Sequence, residues 1–162
     1  NIDDIIAREL KALEYIALQN CKIKASVVEE DPMEKNKRRI LNYGHTIGHA
    51  VESASNYELL HGESVAIGII AAGLIEVRLG LCDDLSMAKT KEILMNLQVP
   101  LKIPREIKKS QLIEILKRDK KAVNKWPRFI LLEKTGSALC KDGQWAHDVS
   151  KDIIEDVISD MY

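Results

Sequence analysis

Aromatic residues are scarce in this chain, 4% of the total with a single Phe. That composition leaves a core to be built from Leu, Ile, Val and Ala. Long apolar runs are absent too. The longest, Val65 to Leu74, is too short to span a bilayer and reads as a buried helix, so no membrane partner is expected. Neither sign of charge dominates: 24 Lys and Arg face 25 Asp and Glu, for a formal net charge of -1. Without a basic tail or stripe, a nucleic acid partner is not expected. The three cysteines, Cys21, Cys82 and Cys140, are odd in number and far apart. They form neither a CxxC zinc pair nor a disulfide framework, and read as small hydrophobes in a reducing, cytoplasmic protein. With Asp3, Asp4 and Glu9, the amino end is not expected to be a signal peptide. The chain begins at Asn1, without Met, and reads as a piece of a longer protein.

What is present is a helical protein of ordinary globular composition, with 46% hydrophobic and 30% charged residues. Its 162 residues suffice for one domain with a proper core. Residues 2–28 carry Ile2, Ile5, Ile6, Leu10, Leu13 and Ile16 at helical spacing, as one long helix or two nearly continuous ones. Asp31-Pro32 ends them. A second helix is expected from about Lys37 to Ser53, stopped by Ser55-Asn56. A third, from His61 to about Leu79, is apolar nearly all round and should be central, with Gly80 closing it. Further helices are expected over 86–97, 110–118 and 149–160, the last packing Ile153, Ile154, Val157 and Ile158 inward. Arg128 to Leu132 is the best strand signal, with a return from Leu139 and Cys140 before an Asp142-Gly143 turn. The fold class is therefore mainly α, with at most a small β-hairpin.

The chemistry concentrates in two segments, RILNYGHTIGHA and LLHGESVAIG. His45, His49 and His61 fall within them, three of the four histidines. At 100° per residue, Arg38, Asn42, His45, His49 and Glu52 would share an arc of about 80° on one helix, with Ile40, Ile47 and Val51 opposite. Gly44 and Gly48 lie between the two faces and would let a neighbouring helix approach closely. Zinc takes neutral imidazoles, and a catalytic site keeps three protein ligands and an open position. His45 and His49, one turn apart, could share an ion; alternatively His45 and His61 bind it while His49 faces an anion or moves a proton. Spacing leaves both open. HTIGH lacks the Glu of HExxH, which argues against a metalloprotease. Glu63 is either a first-turn charge or a carboxylate orienting an imidazole. Arg38 and Asn42 suit a substrate rich in oxygen and negative charge. The basic run Lys117 to Lys121 would be a solvated helix end, or a wall supplying Lys to that substrate. Trp126 reads as a packing anchor, and His147 as a residue without a partner.

These segments resemble the 3-dehydroquinate synthase family of sugar-phosphate cyclases. The resemblance rests on RxxLNxGHTxGHAxE from Arg38 to Glu52 and HGExVA from His61 to Ala66. It is joined by KASVVEED from Lys24, similar to a KAxVVxxD segment, and by RDKK from Arg118 leading into a strand. It implies the helical C-terminal part of such an enzyme, preceded in the parent by an α/β domain that binds NAD+. It implies that His45 and His61 are ligands of Zn2+ or Co2+ and that His49 faces the substrate, linked to phosphate and proton transfer. Lys24, Arg38, Asn42 and either Lys120 or Lys121 would bind a sugar-phosphate substrate. The implied reaction cyclises 3-deoxy-D-arabino-heptulosonate 7-phosphate to 3-dehydroquinate with loss of phosphate, in the shikimate pathway, with NAD+ reduced and then restored; the parent would be a homodimer. A related cyclase, or a truncated non-catalytic metal-binding domain, is the alternative. The family's third metal ligand, a Glu in an AExxK-type segment, would lie upstream of Asn1, as would the glycine-rich NAD elements, so this chain alone is expected to be inactive. Ser64 and Lys125 stand where the family usually has Ala and often Gly.

Overall fold

A computed structural model describes residues 2–118 and 126–162. Lys120, Lys121 and Lys125 lie outside the described residues. The chain forms two compact units, residues 1–41 and 42–162.

The first unit holds α1 (Ile2–Ile6) and α2 (Leu10–Glu30). They are separate because Arg8 adopts a left-handed backbone, φ 57°. The helical spacing of the apolar residues is real, yet Leu10, Leu13, Leu18 and Ile23 remain exposed, and among the described residues of the unit only Val27 is buried. Periodicity fixed the helix without supplying a core. Asp31 then organises the chain: its carboxylate accepts the backbone N–H groups of Lys35, Asn36 and Arg38 at 3.0, 2.7 and 3.1 Å. These donors, Asn36 first, hold its carboxyl below the usual range.

The expected helix from Lys37 to Ser53 is corrected. Lys37–Asn42 is a 3-10 turn, and the α-helix α3 runs only His45–Ala54. The break lies at Gly44, φ 76°, whose backbone meets the chain at Ile69. A Cβ on Gly44 would stand 2.9 Å from the Ile69 nitrogen, and one on Gly68 would stand 1.8 Å from the Gly44 carbonyl oxygen. Two backbones therefore touch where α3 crosses α4 (His61–Arg78). That approach needs glycine on both sides, and it decides the local conformation over helix propensity.

As expected, α4 is central and buried on most sides, from Ala66 to Glu76. It ends in a Schellman turn at Gly80, with N–H bonds from Gly80 to Val77 and from Leu81 to Glu76. α5 (Asp84–Asn96) is capped by Asp83, whose carboxylate accepts Ser86 N–H at 2.8 Å. α6 (Lys109–Arg118) buries Leu112 and Leu116, and α7 (Lys151–Asp160) buries Ile154, Val157 and Ile158 completely. These residues join Ile47, Val51, Ile67, Ile75, Phe129 and Leu131 in one aliphatic core. Trp126 is half-buried against it, with Lys117 Nζ 5.4 Å from its ring centroid, so it is a packing anchor as expected.

The small hairpin is present, with shifted bounds. β1 (Leu132–Lys134) pairs antiparallel with β2 (Ser137–Ala138). The expected strand at 128–132 starts earlier than this ladder because Phe129 pairs instead with His147, through two bonds of 2.8 Å. Leu139 returns outside the ladder, its N–H donating to the Leu131 carbonyl. His147 therefore has partners after all, and its Nε2 also lies 3.0 Å from the Leu139 carbonyl. Asp142 and Gly143, both at positive φ, make the expected turn. The cysteines are not core residues: Cys21 and Cys140 are exposed and Cys82 is half-buried. Among the described residues no helix is long and apolar enough to cross a membrane.

Candidate metal centre

The α3–α4 crossing brings the first residue of each helix together. His45 opens α3, His49 follows one turn later, and His61 opens α4. Their ring centroids are 5.1, 5.4 and 5.7 Å apart pairwise. One nitrogen from each lies within 4.8 Å of the other two, and the rings are half-buried or exposed. An ion about 2.0–2.1 Å from each nitrogen separates them by at most about 4 Å, so two or all three of these rings come within small rotamer adjustments of a spacing that could hold a metal. Imidazole nitrogens at that spacing, open on one side, suit Zn2+ or Co2+ better than the hard oxygen-seeking cations.

Two of the rings are oriented from behind. His45 Nδ1 lies 3.0 Å from the Tyr43 carbonyl, so the ring carries its proton on Nδ1 and presents Nε2. His61 Nδ1 lies 3.2 Å from Glu52 Oε1 and likewise presents Nε2. A carbonyl or carboxylate behind a ring is the arrangement that fixes tautomer and basicity in metal-ligating histidines. Glu52 is therefore the orienting carboxylate. Glu63 is not: its Oε2 accepts Leu60 N–H at 2.9 Å, a first-turn cap, which settles the two readings of that residue.

Arg38 and Asn42 do not share a helical stripe with the histidines, because the helix begins after them. Arg38, half-buried, uses Nη1 to bond the Pro32 carbonyl at 2.9 Å and belongs with exposed Lys24 to the first unit. Asn42 ends the 3-10 turn three residues before His45 in the second unit. Lys120 and Lys121 lie outside the described residues.

Beside His49 opens a cavity of about 450 Å³, walled by Thr46, His49 and Ser53 of α3 and by Ile115 and Arg118 of α6. Arg118, read before only as part of a basic run, thus faces the same space as His49. Sequence reasoning also missed Tyr43 and Glu76. Glu76 is 2% exposed; its Oε1 accepts Leu132 N–H at 2.7 Å and its Oε2 accepts the Tyr43 hydroxyl at 3.4 Å. Burial pushes the Glu76 carboxyl up to about 7, against the pull of these two donors. Burial, and then Glu76 itself, also raise the Tyr43 hydroxyl. The available signal was a Glu directly after the apolar run Val65–Ile75.

A sequence profile described as 3-dehydroquinate synthase C-terminal matches residues 1–122. The 3-dehydroquinate synthase of Dehalococcoides mccartyi (strain CBDB1) is 37% identical over 149 residues, covering 92% of this chain and 41% of its own length. That of Picosynechococcus sp. (strain ATCC 27264 / PCC 7002 / PR-6) is 37% identical over 159 residues, covering 98% and 42%. The chain thus spans about two fifths of the length of these relatives. A crystal structure of 2-deoxy-scyllo-inosose synthase, complexed with carbaglucose-6-phosphate, NAD+ and Co2+, aligns with a TM-score of 0.79 at 30% identity over 86% of this chain and 39% of the other. The profile match covers most of the chain and includes all three clustered histidines, and by it the chain belongs to the 3-dehydroquinate synthase C-terminal family.

Proposed function

We propose that this chain is the metal- and substrate-binding part of a 3-dehydroquinate synthase. It would act on 3-deoxy-D-arabino-heptulosonate 7-phosphate, releasing phosphate and closing the carbocycle. The observation that carries the reading is the histidine triangle with its two orienting partners. In this reading His45 and His61 are metal ligands, because each has the acceptor behind Nδ1 that leaves Nε2 for an ion. His49, whose ring borders the cavity, faces the substrate.

A bound Zn2+ or Co2+ would supply Lewis-acid polarisation of substrate hydroxyls, and NAD+, held mainly by sequence outside this chain, would accept and return a hydride. The residues of the chain orient and neutralise. His49 and Arg118, on one cavity wall each, would take the phosphate, Arg118 through its planar fork. His49 would hold or pass a proton at that phosphate. Lys24, Arg38, Asn42 and Lys120 or Lys121 would bind the carboxylate and hydroxyls as fixed charges and donors. A third metal ligand, a Glu, would come from the part of the relatives that precedes this chain.

A second reading has its own support. The aligned inosose synthase was solved with a hexose-phosphate analogue, so a related cyclase acting on a hexose 6-phosphate is the competitor. Phosphate release by the full-length protein with NAD+ and Zn2+ or Co2+ separates the two. Release from the heptulosonate phosphate and not from hexose 6-phosphate supports the first reading, and the reverse result supports the second. No release from either by metal-loaded protein would sink both. Zinc titration of His45→Ala and His49→Ala tests the roles: the first should lose far more affinity, and equal losses would contradict the division between ligand and pocket residue.

A further inference from the structure

Glu76 lies fifteen residues beyond His61 on α4, directly after the apolar run Val65–Ile75. An ionised carboxylate there is disfavoured by burial, and an apolar residue of similar volume would pack at least as well. Its two contacts indicate what it holds. Leu132 N–H bonds Oε1 at 2.7 Å, tying α4 to β1. The Tyr43 hydroxyl bonds Oε2 at 3.4 Å. Tyr43 is also the residue whose carbonyl meets His45 Nδ1 at 3.0 Å. Between them lies only Gly44, in a left-handed conformation. The α4 backbone holds Gly44 on one side, and the Tyr43 side chain, through its hydroxyl, holds the 43–44 peptide from the other.

We propose that Glu76 is a positioning residue for the metal centre: by anchoring the Tyr43 side chain it fixes the peptide whose carbonyl orients His45. The link runs carboxylate, phenol, carbonyl and imidazole, so one buried group on α4 sets the ring that opens α3. This rests on the reading of His45 as a metal ligand. The carboxylate acts here as a hydrogen-bond partner, not as a charge. A carboxamide therefore serves as well: its oxygen accepts from Leu132 and its nitrogen donates to the Tyr43 oxygen.

The test is Co2+ titration of the protein, followed by the visible absorption of the bound ion, with far-UV circular dichroism as the check on folding. Tyr43→Phe and Glu76→Leu should each weaken Co2+ binding roughly tenfold and shift the absorption bands, as loss of an orienting partner does. The double variant should be no weaker than the worse single, and Glu76→Gln should stay within about twofold of the parent. If Glu76→Leu fails to fold, Tyr43→Phe decides alone, since it removes one hydroxyl. His45→Ala separates the two levels of the argument. If it abolishes binding while Tyr43→Phe matches the parent in affinity and spectrum, the positioning role falls and the ligand role stands. If His45→Ala itself binds normally, both fall. Gln weakening binding as much as Leu would also overturn the proposal.

Discussion

Replacing Glu76 with Gln should make the protein increasingly more stable than the parent as pH rises above about 4.5, with the full gain reached a little above pH 7. The carboxyl sits at about 7 in the fold against an ordinary 4.5. A carboxyl raised by folding favours the native state while it is protonated. That advantage is complete below the unfolded value of 4.5, declines as pH rises from there, and is lost once pH passes the folded value near 7. The gap of about 2.5 pH units, at 1.36 kcal/mol each, is roughly 3 kcal/mol. Glu76 is 2% exposed, so solvent screens little of it. Gln keeps the shape and the acceptor for Leu132 N–H while removing the ionisation. The stability difference between Glu76→Gln and the parent should therefore grow in favour of Gln by roughly 3 kcal/mol between about pH 4.5 and pH 8.5. Other carboxylates titrate in both proteins and cancel. Urea unfolding followed by tryptophan fluorescence reads the right unit, because both tryptophans, Trp126 and Trp145, lie within residues 42–162 with Glu76. A difference that does not change with pH would refute the reasoning, and a change of opposite sign would mean that the carboxylate is stabilised by its donors more than burial penalises it.

Glu52→Ala should lower Zn2+ affinity roughly tenfold while leaving the fold intact, since it removes the acceptor behind His61; isothermal titration with circular dichroism checks both halves. Gly68→Ala should destabilise the unit by about 3 kcal/mol or more, because its methyl would overlap the Gly44 carbonyl; retention of the parent's melting temperature would show that the α3–α4 crossing relaxes without penalty. Ser150→Ala should cost about 1 kcal/mol in chemical denaturation, through loss of the α7 cap that accepts Ile153 N–H.

The parts of this structure that were legible in the sequence are those fixed by local pattern. The all-round apolar run of α4, the inward face of α7 and the turns at Gly80 and Asp142-Gly143 follow from periodicity and from the residues that tolerate positive φ. So did the convergence of three histidines, since a helical turn separates two of them and a short connection brings the third. Long-range contacts decided the rest. The helix before His45 gives way to a 3-10 turn because another backbone presses on Gly44; the glycines within 37–53 announce the close approach but not the break it causes. Glu52 rather than Glu63 stands behind His61 because the connection folds α4 back against α3. Glu76 is raised by its burial and bonds an N–H fifty-six residues away, neither of which local pattern announces. Phe129 takes His147 as its partner, which shortens the regular hairpin and gives a role to a histidine that looked idle.

The crossing at Gly44 and Gly68 bears on how this molecule can vary. Where helices are spaced by interdigitating side chains, each exchange of Leu for Ile or Val shifts the axes by tenths of an ångström, and a site straddling them drifts. Here the two histidine-bearing helices rest on main chain against main chain, a spacer that is the same in every sequence keeping those two glycines. The aliphatic core beneath can be rewritten while the triangle of imidazoles holds its dimensions, so its gauge is set by peptide geometry and is insulated from the turnover of the surrounding packing.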